Sequence, residues 1–430
     1  MNQTEINNLE FAAFIGIDWA DEKHDISLNV AGSTHAEPSQ LTNRSEAIST
    51  WVAGLRQRFG GKPVAIALEQ KRGGLIYALM PYEFLVLYPI NPLALARYRE
   101  AFATSRAKDD PVDADLLREM ISLHRERFQP WIPEDPLTRQ LIFLVESRRR
   151  LVQDKTRLTN RLTALLKQYF PQALDWAGDL DHHVAVDFLI RWPQLEELQK
   201  TPAGDILDFY KAHGCRLGDR FPARHAEIMA AKALTTDPAV IKASMAIVGV
   251  QLAPLRALLE GIETLDQEIS ACFAQHPDAP IFLSLPGAGA VLAPRLLAAF
   301  GTDRSHFPEA AEIQSFSGIA PVTRRSGKTK VVQRRMACPK FVRQSFHEFA
   351  KSSIHWSPWA KCYFRQQRDK GSKKHVAFRA LAYKWIRVIH GCWMNKQEYD
   401  ETRYTERLAE RGSPLAKRLS AAASQAAPAS

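Results

Sequence analysis

The sequence contains few cysteines, and none of them are spaced like a metal-binding or disulfide-forming pair. Five cysteines lie far apart in 430 residues, and no Cys-x-x-Cys pair occurs. An odd number of scattered cysteines argues against both a disulfide framework and a zinc knuckle, and it suits a reducing compartment. We therefore expect a cytoplasmic protein.

Targeting and membrane segments are also lacking. Residues 1–8 are polar and contain no apolar core of a signal peptide. No apolar run is long enough to span a bilayer, so we expect no membrane partner. At 430 residues, the chain is long enough for two or three domains, each with its own core.

Acidic residues are nearly absent from residues 321–380, which we call the basic block. It holds sixteen Lys or Arg and two acids, and its charge of +14 exceeds the +10 of the whole chain. Interleaved aromatic residues complete a composition suited to gripping a phosphate backbone, and the scarcity of acids argues against a merely solvated face. The side chains expected to bind nucleic acid are Arg324, Arg325, Lys328, Lys330, Arg334, Arg335, Lys340 and Arg343.

Residues 1–125 alternate segments of strand and helix character, which predicts a mixed α/β layer domain with at least three strands. Two buried, strand-like runs end in a carboxylate: residues 11–19 carry Asp18, and residues 63–69 carry Glu69. The remaining predicted elements are strands at 24–30 and 84–88, and helices at 44–59, closed by two glycines, and at 91–103.

Four carboxylates in this region form a possible metal site. Asp18 and Glu69 follow neighbouring strands, while Asp110 and Asp113 share one face at the start of a helix. A ribonuclease-H-like fold uses this arrangement to hold two Mg²⁺ ions about 4 Å apart, and the charges of four carboxylates balance two divalent ions. The alternatives are that Asp18 caps a turn, and that Asp110 and Asp113 serve as ordinary capping and dipole residues.

The middle of the chain is predicted to be helical. Residues 126–136 hold three prolines and read as a linker before a helical region at 137–275. A series of leucines every seven residues predicts a long amphipathic helix with a coiled-coil seam. A second such series, from Ile241 to Ile269, is interrupted by Pro254, which predicts a kink or break instead of one continuous helix. The two series could pair as an antiparallel hairpin.

Between the two series, residues 171–235 read as a mostly helical insertion of unassigned role. Its His182 and His183 lie beside Asp179 and Asp181, but this spacing indicates a surface loop more than a metal site.

The C-terminal region, at 276–400, contains the basic block. Residues 285–289, Leu-Pro-Gly-Ala-Gly, open an Ala/Leu-rich helix and predict either a phosphate-binding helix N-terminus or a plain glycine-rich helix start. Residues 374–394 are predicted to form one further helix. The tail at 401–430, rich in Ala, Ser and Pro from residue 412, is predicted to be disordered.

Taken in order, these motifs resemble the DEDD transposases of the insertion sequence 110 family, bridge-RNA-guided DNA recombinases of mobile elements. The resemblance spans most of the chain, except for about 171–235 and the tail. The motifs are Gly16-Ile17-Asp18, Leu68-Glu69, Lys108-Asp109-Asp110-Pro111-Val112-Asp113-Ala114, Leu285-Pro286-Gly287-Ala288-Gly289, Phe316-Ser317-Gly318-Ile319-Ala320-Pro321 and Ser326-Gly327.

The resemblance implies a RuvC-like N-terminal domain of the RNase H-like class, a coiled-coil oligomerisation region and a mainly α-helical C-terminal transposase domain. It implies that Asp18, Glu69, Asp110 and Asp113 bind Mg²⁺, with two ions expected, and that Ser326 is the nucleophile. The implied partners are donor and target DNA, a structured guide RNA and further copies of the chain, as a dimer or tetramer. The implied location is the bacterial cytoplasm, at the nucleoid.

Three departures from the family pattern indicate a divergent subgroup. Gln70-Lys71 stands where the family has Thr-Gly, Lys108-Asp109 replaces Lys-Thr, and Cys338-Pro339 replaces a glycine. These changes bear on RNA scaffold and target preference more than on the chemistry.

Two other functions remain open at this point. In a Mg²⁺-dependent RuvC-like nuclease or junction resolvase, water attacks and Ser326 only contacts phosphate. A non-catalytic nucleic-acid scaffold would rest on the basic block and the coiled coil. Ser326-Gly327 taken alone is typical of a turn, and the distance in sequence between Ser326 and the carboxylates requires two domains, of one or two protomers, to assemble the site.

Overall fold

The structure is a computed structural model, and it describes residues 5–6, 8–70, 72–102, 110–327 and 329–426. The chain divides into two compact units, Met1–Glu134 and Asp135–Ser430, and each has hydrophobic cores of its own. The first unit is mixed α/β and the second is mostly helical. This confirms the predicted succession of an α/β region and a helical region.

The first unit is built on a five-stranded sheet of order β3-β2-β1-β4-β5. Strands β1, β4 and β5 are parallel, whereas β2 is antiparallel to both β1 and β3. The sequence does not predict β3, because this strand contains a proline and is largely exposed, as edge strands tolerate. The strands are β1 (Ala13–Asp18), β2 (Lys23–Val30), β3 (Ala36–Thr42), β4 (Val64–Leu68) and β5 (Leu85–Pro89).

Helices cover both faces of this sheet. Helices α1 and α2 pack against the face that carries Ile15 and Ile17, and α3 and α4 pack against the face that carries Ala65 and Ala67. A left-handed Gly60 ends α1, as the paired glycines predict. The helices are α1 (Ser45–Phe59), α2 (Gly74–Leu79), α3 (Pro92–Phe102) and α4 (Asp110–His124).

Helix α4 lies directly on β1 because Gly16 has no side chain. A Cβ added there would lie 2.5 Å from the Arg118 nitrogen and closer still to the Ala114 carbonyl oxygen. Arg125, just beyond α4, lies 4.9 Å from the centroid of the Phe11 ring, which precedes β1. Helix α4 therefore runs antiparallel to β1, and its first turn lies at the end of the sheet where β1 finishes.

The predicted linker is anchored to the first unit. Residues 128–135 have no regular secondary structure, as expected, and the boundary between the units falls after Glu134. The Trp131 N–H, however, donates a hydrogen bond of 2.7 Å to the Leu87 carbonyl of β5. This part of the linker is therefore held in place.

Two long helices dominate the second unit: α5 (Pro136–Tyr169) and α11 (Pro238–Ala274). Thr138, near the start of α5, is 2.9 Å from the Nε2 of His276, just beyond the end of α11. Leu162, near the other end of α5, shares a core with Val248 and Leu252. The helices are therefore antiparallel, the pairing that the two seven-residue series allow.

Helix α11 continues through Pro254, so the predicted break is wrong, while a kink at this residue stays a prediction. Proline removes the hydrogen bond to the carbonyl four residues earlier, that of Val250. Both Pro254 and Val250 are exposed, Val250 by 76%, so water can bind the released carbonyl. The second apolar series is buried at Val248, Leu255, Ile262 and Ile269.

By length and composition, α11 is also apolar enough to cross a membrane, contrary to the expectation that no run is. The same length and composition are found in core helices of soluble proteins. Here, the buried face of α11 packs against α5.

The insertion is mostly helical, as predicted. Its helices pack on the far half of the α5–α11 pair, while the near half packs with the C-terminal helices. The helix pair of the region at 137–275 contributes to two cores of one compact unit. The insertion helices are α6 (Ala173–Trp176), α7 (His183–Arg191), α8 (Leu195–Lys200), α9 (Ala203–Ala212) and α10 (Phe221–Ala230).

The C-terminal part surrounds α17, whose Trp385 and Trp393 are fully buried. A two-stranded hairpin, β6 (Val322–Ser326) and β7 (Thr329–Gln333), lies within it and is not predicted by the sequence analysis. The helices are α12 (Ala279–Leu283), α13 (Gly289–Phe300), α14 (Ala310–Phe316), α15 (Lys340–Ser353), α16 (Pro358–Asp369) and α17 (Lys374–Met394), the last with the predicted bounds.

The prediction that the tail at 401–430 is disordered is wrong for residues 401–426. They contain α18 (Glu401–Glu410) and α19 (Pro414–Ala426). Leu415, only 3% exposed, belongs to the C-terminal core, and Tyr404 and Leu408 pack against that core. A few well-spaced apolar residues are enough to dock these helices, although the composition is otherwise that of a flexible tail.

Candidate functional site

Two of the predicted metal ligands lie at adjacent strand ends. Strands β1 and β4 are parallel, with Ile17 opposite Leu68, so the next residues, Asp18 and Glu69, are neighbours. Side chains alternate along a strand, which places Asp18 on the same face as Gly16 and therefore on the side that α4 covers. The same alternation from Ala67, which contributes to the α4 core, places Glu69 on this side.

Asp25 joins this end of the sheet, although the sequence analysis does not single it out. In the antiparallel register of β1 and β2, Asp25 lies directly opposite Asp18. Two like charges in directly opposite positions destabilise a sheet unless a cation compensates them. Gln40 donates one hydrogen bond of 3.0 Å to Asp25. Only the strand register reveals this third carboxylate.

The histidine beside this cluster supplies no compensating charge near neutral pH. His24 is completely buried, and its ring stacks on Trp19 with 6.5 Å between ring centroids. Burial lowers the pKa of His24, and the Ala20 backbone N–H donates a hydrogen bond of 3.2 Å to its Nδ1. The ring is therefore neutral at pH 7.

Asp113 lies in the first turn of α4, at the Asp18 end of the sheet, and is almost fully buried. Its carboxylate accepts two hydrogen bonds from Arg99 on α3, Nε to Oδ1 at 2.7 Å and Nη2 to Oδ2 at 2.5 Å. A bidentate guanidinium is a strong, charge-matched partner for a carboxylate. Asp110 begins α4, but its side chain lies outside the described residues.

The donor types at this site suit a divalent ion such as Mg²⁺, which prefers hard oxygen ligands. Among the described residues, the ligand atoms of Asp18, Glu69 and Asp113 do not gather within 4.8 Å of one another. The amide oxygen of Gln70, directly after Glu69, is buried and has no hydrogen-bond partner. This oxygen lies against Gly73, at the turn that follows β4, and it is not placed at the carboxylates.

A different acidic group does gather closely. In the part of the chain that the structure describes, Asp179, Asp181 and His182 bring ligand atoms within 4.8 Å of one another, and all three are exposed. Lys155 donates a hydrogen bond of 3.1 Å to Asp181, so a lysine already supplies positive charge. The segment is a loop between α6 and α7, as predicted.

Ser326 is the last residue of β6 and lies at the tip of the hairpin. It pairs with Thr329 of β7, and Gly327 occupies the intervening turn with a φ of 55°, a conformation that favours glycine. Nearly all side chains of both strands are exposed, including Ser326. Lys328 lies outside the described residues.

The predicted basic residues of the hairpin are divided between its two faces. Arg324 shares a face with Ser326, because the two are separated by one residue. Arg325 lies on the opposite face, directly across from Lys330. Within the described residues, none of these three cations has a carboxylate within 4.0 Å, so Arg325 and Lys330 form an uncompensated pair of like charges.

The remaining predicted basic residues follow the hairpin. Arg334 and Lys340 are exposed, while Arg335 and Arg343 are half-buried. The Nη1 of Arg343 lies 3.2 Å from the Cys338 sulfur. These residues extend the basic surface from β7 into the start of α15.

Two motif glycines are required for close packing. A Cβ on Gly318, which has a φ of 70°, would lie 2.8 Å from the Cβ of Cys338. The cysteine that departs from the family pattern therefore packs directly against another motif. A Cβ on Gly287, with a φ of 80°, would lie 2.7 Å from the Trp356 ring. This contact explains Gly287 by packing and leaves phosphate binding at residues 285–289 as a prediction.

Two parts of the chain match family models of known transposases. Residues 15–171 match a family model of DEDD transposases of the IS110 type, and residues 279–365 match a model described as transposase of the IS116/IS110/IS902 family. The mini-circle putative transposase for IS117 of Streptomyces coelicolor is 28% identical, over 91% of this chain and 96% of its own length. The uncharacterized 44.8 kDa protein of insertion element IS116 from Streptomyces clavuligerus is 30% identical, over 89% and 95%.

These matches define the class as transposases, which are enzymes that act on DNA. The chain belongs to the IS116/IS110/IS902 family of transposases, which confirms the resemblance carried by the sequence motifs. Membership of an enzyme family also sets aside a purely non-catalytic scaffold.

Proposed function

We propose that this transposase cleaves and rejoins DNA strands by Mg²⁺-dependent phosphoryl transfer. In this proposal, Asp18, Glu69, Asp110 and Asp113 are metal ligands, and Ser326 is the nucleophile. The observation that carries the proposal is the position of Asp18 and Glu69, which follow adjacent parallel strands on the face that α4 covers. The strand order β3-β2-β1-β4-β5 supports assignment to the RNase H-like, RuvC-like class.

The chain's own residues supply most of the metal site. Bound Mg²⁺ would polarise the phosphodiester and stabilise the charge that develops on it. Asp18 and Glu69 are neighbours at the ends of adjacent strands, and Asp25 adds a carboxylate across from Asp18. Arg99 already supplies positive charge to Asp113, so a metal ion at Asp113 would compete with the guanidinium for that charge.

Ser326 would carry the strand through a covalent intermediate. Its Oγ–P bond forms as the P–O bond to the leaving strand breaks, and the hydroxyl proton passes to the leaving oxygen. The phosphoserine ester retains the bond energy for rejoining, when a strand hydroxyl attacks and releases Ser326. Arg324 lies on the same hairpin face and would stabilise the phosphate charge.

A covalent-adduct assay tests the serine. Wild-type protein incubated with Mg²⁺ and end-labelled element DNA should leave label on the protein in a denaturing gel. Ser326→Ala should reduce the adduct about 10³-fold or more, because the nucleophile is lost. Thr323→Ala removes a hydroxyl from the opposite face of the same strand and should leave the adduct unchanged. Absence of an adduct from active wild-type protein would contradict the proposal.

A second candidate is a RuvC-like nuclease in which water attacks. It is favoured by one observation: Ser326-Gly327 occupies a hairpin turn, where this dipeptide is explained by turn chemistry alone. In this case, Ser326→Ala retains strand cleavage, and Asp18→Asn abolishes it. Loss of cleavage in both variants, with loss of the adduct, favours the serine mechanism.

We also propose that the protein binds a structured guide RNA as well as DNA, and acts at the bacterial nucleoid. The support is the charge of +14 in residues 321–380 and the uncompensated cations of the hairpin. If a guide pairs with the target, specificity lies in that RNA more than in the protein side chains. Purification with co-expressed element DNA, followed by sequencing of the bound RNA, should recover one transcript from the element flank. Recovery of bulk cellular RNA alone would contradict this proposal.

A further inference from the structure

The second unit contains a cavity of about 640 Å³ bordered by α16, α17 and α18. Its lining residues run from Tyr363 to Arg411, so the cavity is distinct from Ser326 and from the carboxylates of the first unit. Binding pockets for small ligands generally measure about 300–1,000 Å³. The cavity is therefore large enough for a compact organic ligand.

Five cations line this cavity. Arg403 and Arg407 lie in α18, and Arg411 directly follows this helix, four residues after Arg407. Lys384 and Arg387 lie in α17. Within the described residues, none of the five has a carboxylate within 4.0 Å.

The acids of the cavity do not balance these charges. Glu398 and Asp400 also line it, but Asp400 is used to cap α18, accepting the Arg403 backbone N–H at 3.0 Å. Like charges four residues apart destabilise a helix, so an anion bound in the cavity would reduce the repulsion between these arginines.

Aromatic side chains line the same cavity. Tyr363 lies under the Lys384 ammonium, 5.1 Å from ring centroid to nitrogen. Tyr399 is buried and donates a 2.7 Å hydrogen bond to Glu401. Burial raises the pKa of Tyr404 to about 12, so its hydroxyl stays protonated. Tyr383 lines the cavity and is 39% exposed, which leaves its ring accessible.

The geometry points to a pocket for a single unpaired nucleotide. Arginine forks suit phosphate oxygens, so Arg387, Arg403 and Arg407 would hold the phosphate. An accessible ring beside these charges suits the flat face of a base, which stacks on Tyr383. An inorganic anion would bind the cations but would make no stacking contact with the Tyr383 ring. This inference does not depend on the serine or on the metal site.

Binding of a fluorescent base tests the pocket. The full-length protein is titrated with three probes containing 2-aminopurine: the free nucleoside monophosphate, a short single-stranded DNA and the matching RNA. Stacking on Tyr383 should quench the fluorescence in a saturable way. Quenching by the free nucleotide identifies a mobile nucleotide as the ligand, and quenching by the strands alone identifies a base extruded from a polynucleotide. Either result supports the pocket.

Two variants separate the contributions of charge and ring. Arg387→Gln with Arg407→Gln should weaken binding of the quenching probe at least tenfold. For the strand probes, it should also reduce the slope of log K against log salt by up to about 0.7, because contacts to one phosphate are lost. Tyr383→Leu should abolish the quench and preserve the salt slope. Circular dichroism checks that each variant is folded.

A matched control removes the same charge elsewhere. Arg216 and Arg220 are exposed, four residues apart and outside the cavity, so Arg216→Gln with Arg220→Gln should leave quench and affinity unchanged. Equal loss of affinity in this control and the pocket variant, or no loss in the pocket variant, would overturn the inference. Ser326→Ala should bind all probes normally, so failure of the serine mechanism and failure of the pocket are distinguishable.

Discussion

At the residue scale, the pairing of Arg99 with Asp113 is the feature that most affects the proposed chemistry. The side chain of Asp113 is 6% exposed and that of Arg99 is 17% exposed, and their two hydrogen bonds occupy one lone-pair site on each carboxylate oxygen. The guanidinium therefore supplies the positive charge that a metal ion would otherwise supply. A metal ion at Asp113 therefore competes with the Arg99 guanidinium for the charge of one carboxylate.

This competition predicts the behaviour of Arg99→Met. Removal of one partner from a buried ion pair costs about 3–5 kcal/mol, because the remaining charge is uncompensated. If Asp113 is a ligand, Mg²⁺ restores the missing charge, and the rise of Tm with Mg²⁺ is larger in Arg99→Met than in the wild type. Thermal unfolding with and without Mg²⁺ measures both effects.

Arg58→Met is the control for that experiment. Arg58 also makes a bidentate pair, with Glu37, but this pair is exposed and far weaker in effect. It should change neither Tm nor its dependence on Mg²⁺ appreciably. An equal Mg²⁺ response in all three proteins would show that Asp113 is a structural partner of Arg99 and not a metal ligand.

At the scale of secondary-structure elements, the contact between β1 and α4 positions the candidate site. Gly16 brings the α4 backbone onto the sheet, and the antiparallel course of α4 then places its first turn at the Asp18 end. The motif Gly16-Ile17-Asp18 thus combines a packing residue with a candidate ligand. The glycine matters for the position of the helix, and the aspartate for the chemistry.

Gly16→Ala should destabilise the protein by about 3 kcal/mol or more, because backbone atoms of α4 cannot move aside as a side chain would. Gly54→Ala is the matched control: Gly54 lies within α1 and has open space around it, so alanine should stabilise by about 0.5–1 kcal/mol. Urea unfolding of both variants gives the comparison. A loss below about 1 kcal/mol for Gly16→Ala would contradict the close contact.

At the scale of the whole molecule, α11 has a second apolar face. Its buried face packs on α5, but Val240, Ile247 and Val250 on its outer side are exposed. Apolar side chains that stay exposed together on one element often mark an interaction surface. We therefore propose that this outer face joins copies of the chain into the dimer or tetramer that the coiled-coil resemblance implies.

Charged residues on the outer face test this association. Ile247→Lys with Val250→Lys should convert the oligomer to monomer in light scattering, since buried lysines oppose association without disturbing the α5 contact. Lys242→Glu changes the charge of the same helix at a position that is already polar and exposed, and should preserve the oligomer. If the double variant keeps the wild-type mass, another surface forms the oligomer.

Local patterns in the sequence determined much of this description. Short apolar runs predicted β1, β4 and β5, and an alternating pattern predicted β2. Seven-residue spacing predicted apolar seams on α5 and α11 and allowed their pairing, because periodicity reports which side of an element is buried. The motifs from Gly16 to Ser326 were enough to identify the family. The scarcity of acids in residues 321–380 indicated an anionic partner by composition alone.

Only the tertiary structure decided how these parts meet. The sheet register placed Asp25 across from Asp18, and the packing of α3 against α4 brought Arg99 into an ion pair with Asp113. Neither pairing can be predicted from the residues adjacent in sequence. The continuity of α11 through Pro254 and the docking of α18 likewise depend on long-range burial, which outweighs local preference. Periodicity and composition arise from neighbours along the chain, whereas a site arises from residues that folding brings together.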